Sequence, residues 1–304
     1  MDLSPAKVWY VLARCVDYTG LTLFAGGLFF VALLWPAGAE HRGARRVLVA
    51  GWVLGLLGTL AGLGLQGAWA AQRPASDFLD PALLGQVLTV HFGRVWFARA
   101  LLWLLGGVVL AWLLGRGRSV AKALPWRVGA GAVLLGLLRT TGLTGHATES
   151  PRPWLTQLAD FGHLAGICAW IGGLALLLFG VLSRRDPDEL AAVIPRYSKL
   201  AMVSVAVVIA AGTVLAWQTL GGLGRLFTTG YGQILLVKLA VLAVVLLAAQ
   251  GSRSWVARRL DFAVVLRGDA ATVRPFVYSV AAETTLVVVV LLAASFLVTA
   301  SPGR

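Results

Sequence analysis

The sequence predicts an all-α, polytopic membrane protein of eight transmembrane helices. It predicts two four-helix halves related as a direct (parallel) repeat, with both termini on the outer side. Three observations lead there. Of 304 residues, 59% are hydrophobic and only 13% are charged, and the mean hydropathy is +0.83. Eight apolar runs are each close to the roughly 20 residues that cross a bilayer as a helix. Finally, charged and glycine positions in one half recur in the other.

The runs lie at 8–35, 47–70, 93–114, 127–145, 155–182, 197–219, 232–251 and 276–299. The first lacks a basic leader and a small-residue cleavage site, and reads as a retained helix rather than a signal peptide. Between the second and third runs, Asp80-Pro81 reads as an N-cap followed by proline at the first helical position. A short amphipathic helix, 81–90, is therefore expected within an outer segment near 77–91. Asp186-Pro187-Asp188-Glu189 signals another short helix, with Pro195 opening the sixth span. Gly51, Gly55, Gly58 and Gly62 follow small-xxx-small spacing, which serves close helix packing. The predicted division is 1–150 for the first half and 151–304 for the second.

Orientation follows from the basic residues. The loops 36–46, 115–127, 183–199 and 252–275 carry 3, 4, 4 and 5 Lys or Arg, sixteen in all. The opposite segments hold six: Lys7, Arg73, Arg94, Arg152, Arg225 and Arg304. Positive charge gathers on the cytoplasmic side, so both termini are expected outside, or in the periplasm. The net charge of +13 thus records topology, and no basic, aromatic-interleaved nucleic-acid motif is present. Tryptophans read as interfacial belts, with Trp9, Trp69, Trp96, Trp154 and Trp217 outside and Trp35, Trp112 and Trp126 inside.

The duplication brings chemistry with it. Aligning Gly26-Gly27-Leu28 with Gly172-Gly173-Leu174 places Arg14 on Asp160, Asp17 on His163 and Gly20 on Gly166. A second register places Phe92-Gly93 on Tyr231-Gly232 and Arg99 on Lys238. Charges within a bilayer are costly and are kept where a partner, cavity or ligand offsets that cost. Arg14, Asp17, Arg99, Arg139, Asp160, His163 and Lys238 are all expected in the outer half of the membrane. Glu283 sits lower, as a station on an ion path. Long basic side chains can instead snorkel to the interface, a route closed to the carboxylates.

His146, His163 and His91 fall on the outer side, and Asp160-x-x-His163 sets acid and imidazole on one helix face. Such a pair can share a metal, or the acid can orient the ring. The expected metal ligands are His146, His163, His91, Asp160 and Asp17, with Arg14, Arg99, Arg139, Lys238 and Glu283 balancing charge or lining an ion path. His41 reads as a solvated loop residue. Cys15 and Cys168 lie inside spans without a CxxC pair, so no disulfide framework is expected; either could supply a sulfur, though small apolar packing is the commoner use of a buried cysteine. Imidazole and carboxylate suit Cu(II) or Zn(II), and imidazole also ligates haem iron. Met1 and Met202 are the only methionines, so there is no thioether ladder for Cu(I).

Gly145-His146-Ala147, Asp160-Phe161-Gly162-His163-Leu164 and Trp170-Ile171-Gly172-Gly173-Leu174 resemble the copper resistance D family of bacterial inner-membrane proteins. So do Tyr197-Ser198-Lys199-Leu200-Ala201, Tyr231-Gly232-Gln233, Leu236-Val237-Lys238-Leu239 and Ala282-Glu283, in the same order. The resemblance implies a copper ion moved from periplasm toward cytoplasm, without catalysis. It also implies a separate periplasmic copper-binding partner of the copper resistance C type. Two other readings stay open. One is a haem b electron carrier or porphyrin oxidoreductase, in which two outer histidines and nearby arginines hold iron and propionates. The other is a copper delivery factor for oxidase assembly. The bilayer is the one partner composition demands, and homo-oligomerisation is left open.

Overall fold

The computed structural model describes residues 4–143 and 152–247, except 185, 223, 238, 241, 245 and 246. Every regular element among the described residues is helical. Five helices are long and apolar enough to cross a membrane: α1 (Pro5–Leu33), α2 (Arg42–Ala70), α4 (His91–Arg116), α7 (Pro153–Arg184) and α8, a helix that starts at Pro187 and ends at Leu220. The shorter helices are α3 (Pro81–Thr89), α5 (Arg118–Lys122), α6 (Leu124–Gly142) and the apolar α9 (Gly230–Val244). The eighth expected span, 276–299, lies outside the described residues.

Local signals account for most boundaries. Ser4 caps α1 by accepting from the backbone N–H of Lys7, with Pro5 next. Asp80 caps α3 through the N–H groups of Ala82 and Leu83, and Leu83 and Val87 then pack over Gly67 of α2. This is the expected amphipathic segment. The 186–189 signal acts differently. Asp186 caps a helix, accepting from Asp188 and Glu189, but that helix runs on through Pro195 to Leu220 as one element. Only one backbone donor is missing at Pro195, and packing of Leu190, Val193 and Tyr197 in the core on either side holds the helix through it.

Glycine decides how closely the helices meet. A Cβ at Gly20 would lie 2.1 Å from the Gly55 nitrogen, and one at Gly55 would lie 2.0 Å from the Trp103 ring. So α2 offers backbone to α1 on one side and slots for Trp96 and Trp103 of α4 on the other, over Gly62 and Gly55. Trp96, Trp35 and Trp126 are therefore core residues, at 3%, 3% and 1% exposure, rather than members of interfacial belts. Trp126 Nε1 donates to the Val109 carbonyl. Trp9, Trp112, Trp154 and Trp217 are exposed, as interfacial residues should be.

The crossing of α1 with α7 is reciprocal. A Cβ at Gly26 would come 2.0 Å from the Cys168 carbonyl oxygen, and one at Gly172 would come 2.1 Å from the Thr22 oxygen. Here α7 adopts π-helical turns at Cys168–Gly172 and Leu177–Val181.

Candidate metal centre

Toward the end of the bundle where α1 begins, four helices meet on one buried ion pair. Asp17 of α1 and Arg99 of α4 are 3% and 2% exposed. Arg99 Nη2 donates to both carboxylate oxygens at 2.9 and 3.1 Å, and its Nε reaches Oδ1 at 3.3 Å. Thr59 of α2 adds a hydroxyl donor to Oδ1 at 2.8 Å. The other side of the guanidinium, Nη1, donates to the Leu137 carbonyl and to the Thr140 and Thr141 hydroxyls of α6 at 2.6, 3.0 and 3.0 Å. Charge-assisted, two-pronged bonds of this kind are the strong ones. The sequence reading counts Asp17 among the metal ligands. In the structure its oxygens are taken up by Arg99 and Thr59, because the guanidinium fork matches the carboxylate and the hydroxyl completes its bonding.

A second polar group lies where α1, α6 and α7 converge. Arg14 is held between Tyr10 and Tyr18, one turn before and one turn after it. Its guanidinium carbon is 5.9 and 5.3 Å from the two ring centres, and its nitrogens donate to their hydroxyls at 3.3 and 2.6 Å. Asp160 is half-buried and hydrogen-bonds to no described residue, while His163, Arg14 and Arg139 are near enough to act on it electrostatically. Its Oδ2 lies 2.6 Å from where a Cβ would stand on Gly142. A side chain at that position would push the carboxylate aside. Arg139, on the exposed side of α6, ties it to α7 through the Gln157 oxygen at 2.6 Å.

His163 sits one turn further along α7 and turns to α8. Its Nδ1 is 3.0 Å from the Val208 carbonyl, and its ring rests over Gly212. A carbonyl can only accept, so Nδ1 carries the proton. That is how a metal-binding histidine is commonly oriented. The orienting group is Val208, not Asp160. His91, exposed at the start of α4, donates from Nε2 to the Leu143 carbonyl at 3.3 Å. It therefore meets the end of α6, on whose Gly142 Asp160 also bears.

The sulfurs stay apart from this group. Cys168 is buried, with its Sγ 4.0 Å from the Leu21 carbonyl on α1, whereas His163 faces α8. Cys15 is half-buried, and both thiols are free. His146, Lys238 and Glu283 lie outside the described residues. Among the described residues no three His, Cys, Asp or Glu side chains gather as a metal group. Sequence reasoning missed Thr59, Thr140 and Thr141, which carry no charge to draw attention. It also missed the tyrosine cradle, although Tyr10-x-x-x-Arg14-x-x-x-Tyr18 is legible as helical spacing.

Two family models match the chain. One, described as Copper resistance protein D, covers residues 191–297. The other, described as Copper resistance protein D-like, N-terminal domain, covers residues 4–151. Among curated proteins, the Copper transport protein CutJ of Bacillus subtilis (strain 168) is 29% identical over 233 residues. That match takes in 74% of this chain but only 42% of the relative, so the chain spans about two fifths of that protein. The Inner membrane protein YebZ of Escherichia coli (strain K12) is 28% identical over 307 residues, 98% of this chain and 99% of the relative. No solved structure matches.

Proposed function

The chain belongs to the copper resistance D family, and we propose that it carries copper across the bacterial inner membrane from periplasm toward cytoplasm. The observation that carries this reading is the setting of His163. Its Nδ1–H is anchored on Val208, and Asp160, which bonds to no described residue, stands one turn away on the same helix. His146 and His91 would complete the receiving site. His146 follows Leu143 by three residues in sequence, and His91 is hydrogen-bonded to Leu143 itself. Arg14 and Arg139 hold the carboxylate's charge until a copper ion displaces their influence.

We read the architecture as eight spans in two direct-repeat halves, 1–150 and 151–304, with both termini periplasmic. The reciprocal approach of Gly26 to Cys168 and of Gly172 to Thr22 supports the repeat. Under the alignment of Gly26 with Gly172, Thr22 corresponds to Cys168, so the two approaches are one contact seen from either half. The packing of Gly20 on α2 and of Gly166 on α8 supports it too. Rocking of one half on the other about this crossing would alternate access. A separate periplasmic copper-binding protein of the copper resistance C type would supply the ion.

Copper uptake into proteoliposomes tests the proposal. The wild type should accumulate copper, and a His146→Ala, His163→Ala double variant should lose most of that uptake. Equal uptake by both would refute the site. A red preparation with a Soret band and no copper uptake would replace this reading with the haem one.

A further inference from the structure

At the far end of the bundle lie three buried polar atoms without hydrogen-bond partners among the described residues. They are Trp35 Nε1, His41 Nδ1 and Glu189 Oε2, three of only five such atoms among the described residues. Orphaned buried polar groups are rare and ask for an explanation, commonly an ion or water. His41 immediately precedes α2, and its ring lies 5.7 Å from that of Trp35 and against Gly43, which itself meets the Phe179 carbonyl of α7. Glu189 belongs to the first turn of α8, and its other oxygen, Oε1, accepts from Arg184 Nη1 at 3.0 Å. Arg184 and Glu189 both act electrostatically on His41. An imidazole just ahead of α2 thus lies within electrostatic reach of a carboxylate in the first turn of α8.

From these groups we propose a second copper site, formed by His41 Nδ1 and Glu189 Oε2, from which the ion leaves on the cytoplasmic side. The inference rests on the transport reading above. Along α7, His163 and Arg184 are 21 residues apart (184 − 163), or about 31 Å at the helical rise. The two His–acid pairs therefore stand at opposite faces of the membrane. Two protein ligands, one shared with a guanidinium, make a weak site. A releasing site must be weak, because conduction needs an ion that can leave.

Cu(II) binding by the purified full chain, measured as stoichiometry and affinity, separates the two sites. The wild type should bind two ions, one tighter than the other. His41→Gln and Glu189→Gln should each abolish the weaker ion and keep the tighter one, whereas His163→Ala should do the reverse. Arg184→Gln, which frees Oε1, should tighten the weaker ion by roughly tenfold, the scale on which groups bonded to ligands tune affinity. Two ions retained in both His41→Gln and Glu189→Gln would overturn the proposal and show that water alone satisfies these atoms, while leaving the outer site intact. Two ions retained in His163→Ala would instead overturn the receiving site.

Discussion

Two acid-bearing groups lie near one end of this bundle, and they are built in opposite ways. Asp17 is saturated: Arg99 and Thr59 occupy both oxygens, and Arg99 in turn is fastened to α6. Asp160 stands beside two arginines and an imidazole without a hydrogen bond to any described residue. The two carboxylates sit on helices the sequence aligns, yet one is a structural joint and the other hydrogen-bonds to no described residue. Charge inside a membrane does not by itself mark function. What matters is whether the charge's hydrogen-bonding capacity has already been used.

The comparison breaks most visibly at Asp17. Asp17→Ala leaves Arg99 buried without its counter-ion, a change that typically costs about 3–5 kcal/mol. Chemical unfolding in detergent should show that loss, and a double Asp17→Leu, Arg99→Met variant should recover much of it. Unchanged stability in Asp17→Ala would mean that the pair is not the joint described. The same unfolding assay applied to Gly172→Val should show a loss of roughly 1–3 kcal/mol from overpacking, because the added Cβ would run into the Thr22 carbonyl.

Smaller effects sharpen the other side. His163→Ala removes the hydrogen bond to Val208, worth about 1 kcal/mol, so stability should fall far less than in Asp17→Ala while copper uptake is lost. A variant that loses both together would place His163 with Asp17 as structure. Smallest of all is an acid effect at α3. The backbone N–H groups of Leu83 and Ala82, with Arg73 beside them, hold Asp80 below the usual carboxylate pKa. A depressed pKa contributes stability above the unfolded value and loses it as pH falls through the folded one. The cap should therefore loosen as the solution is acidified below about pH 4, seen as faster hydrogen exchange at 82–84. Asp80→Asn should remove that pH dependence.

Much of this was legible in the sequence because hydropathy and glycine spacing act locally. The runs that became α1, α2, α4, α7 and α8, the cap at Asp80 and the glycine slots of α2 needed no tertiary information. The identity of the charged positions was equally visible, since an arginine or aspartate in an apolar run stands out. Their partners were not. Whether Asp17 meets Arg99 or a metal depends on helix rotation, which Trp103 seated over Gly55 fixes from outside the motif. Trp35 and Trp96 are misplaced for a related reason: position along a span suggests an interface, while the neighbouring glycines, Gly38 and Gly180 for one and Gly62 for the other, decide burial. The loop setting of His41 suggests a solvated residue, although its Nδ1 is buried and its ring lies against Trp35.

X-ray absorption at the copper edge, recorded on the loaded protein, tests the contrast between the two acids most directly. Spectra of Asp17→Asn should keep the imidazole scattering of the wild type, and those of His163→Ala should lose part of it. Imidazole scattering that survives His163→Ala but falls in Asp17→Asn would contradict the account at its centre.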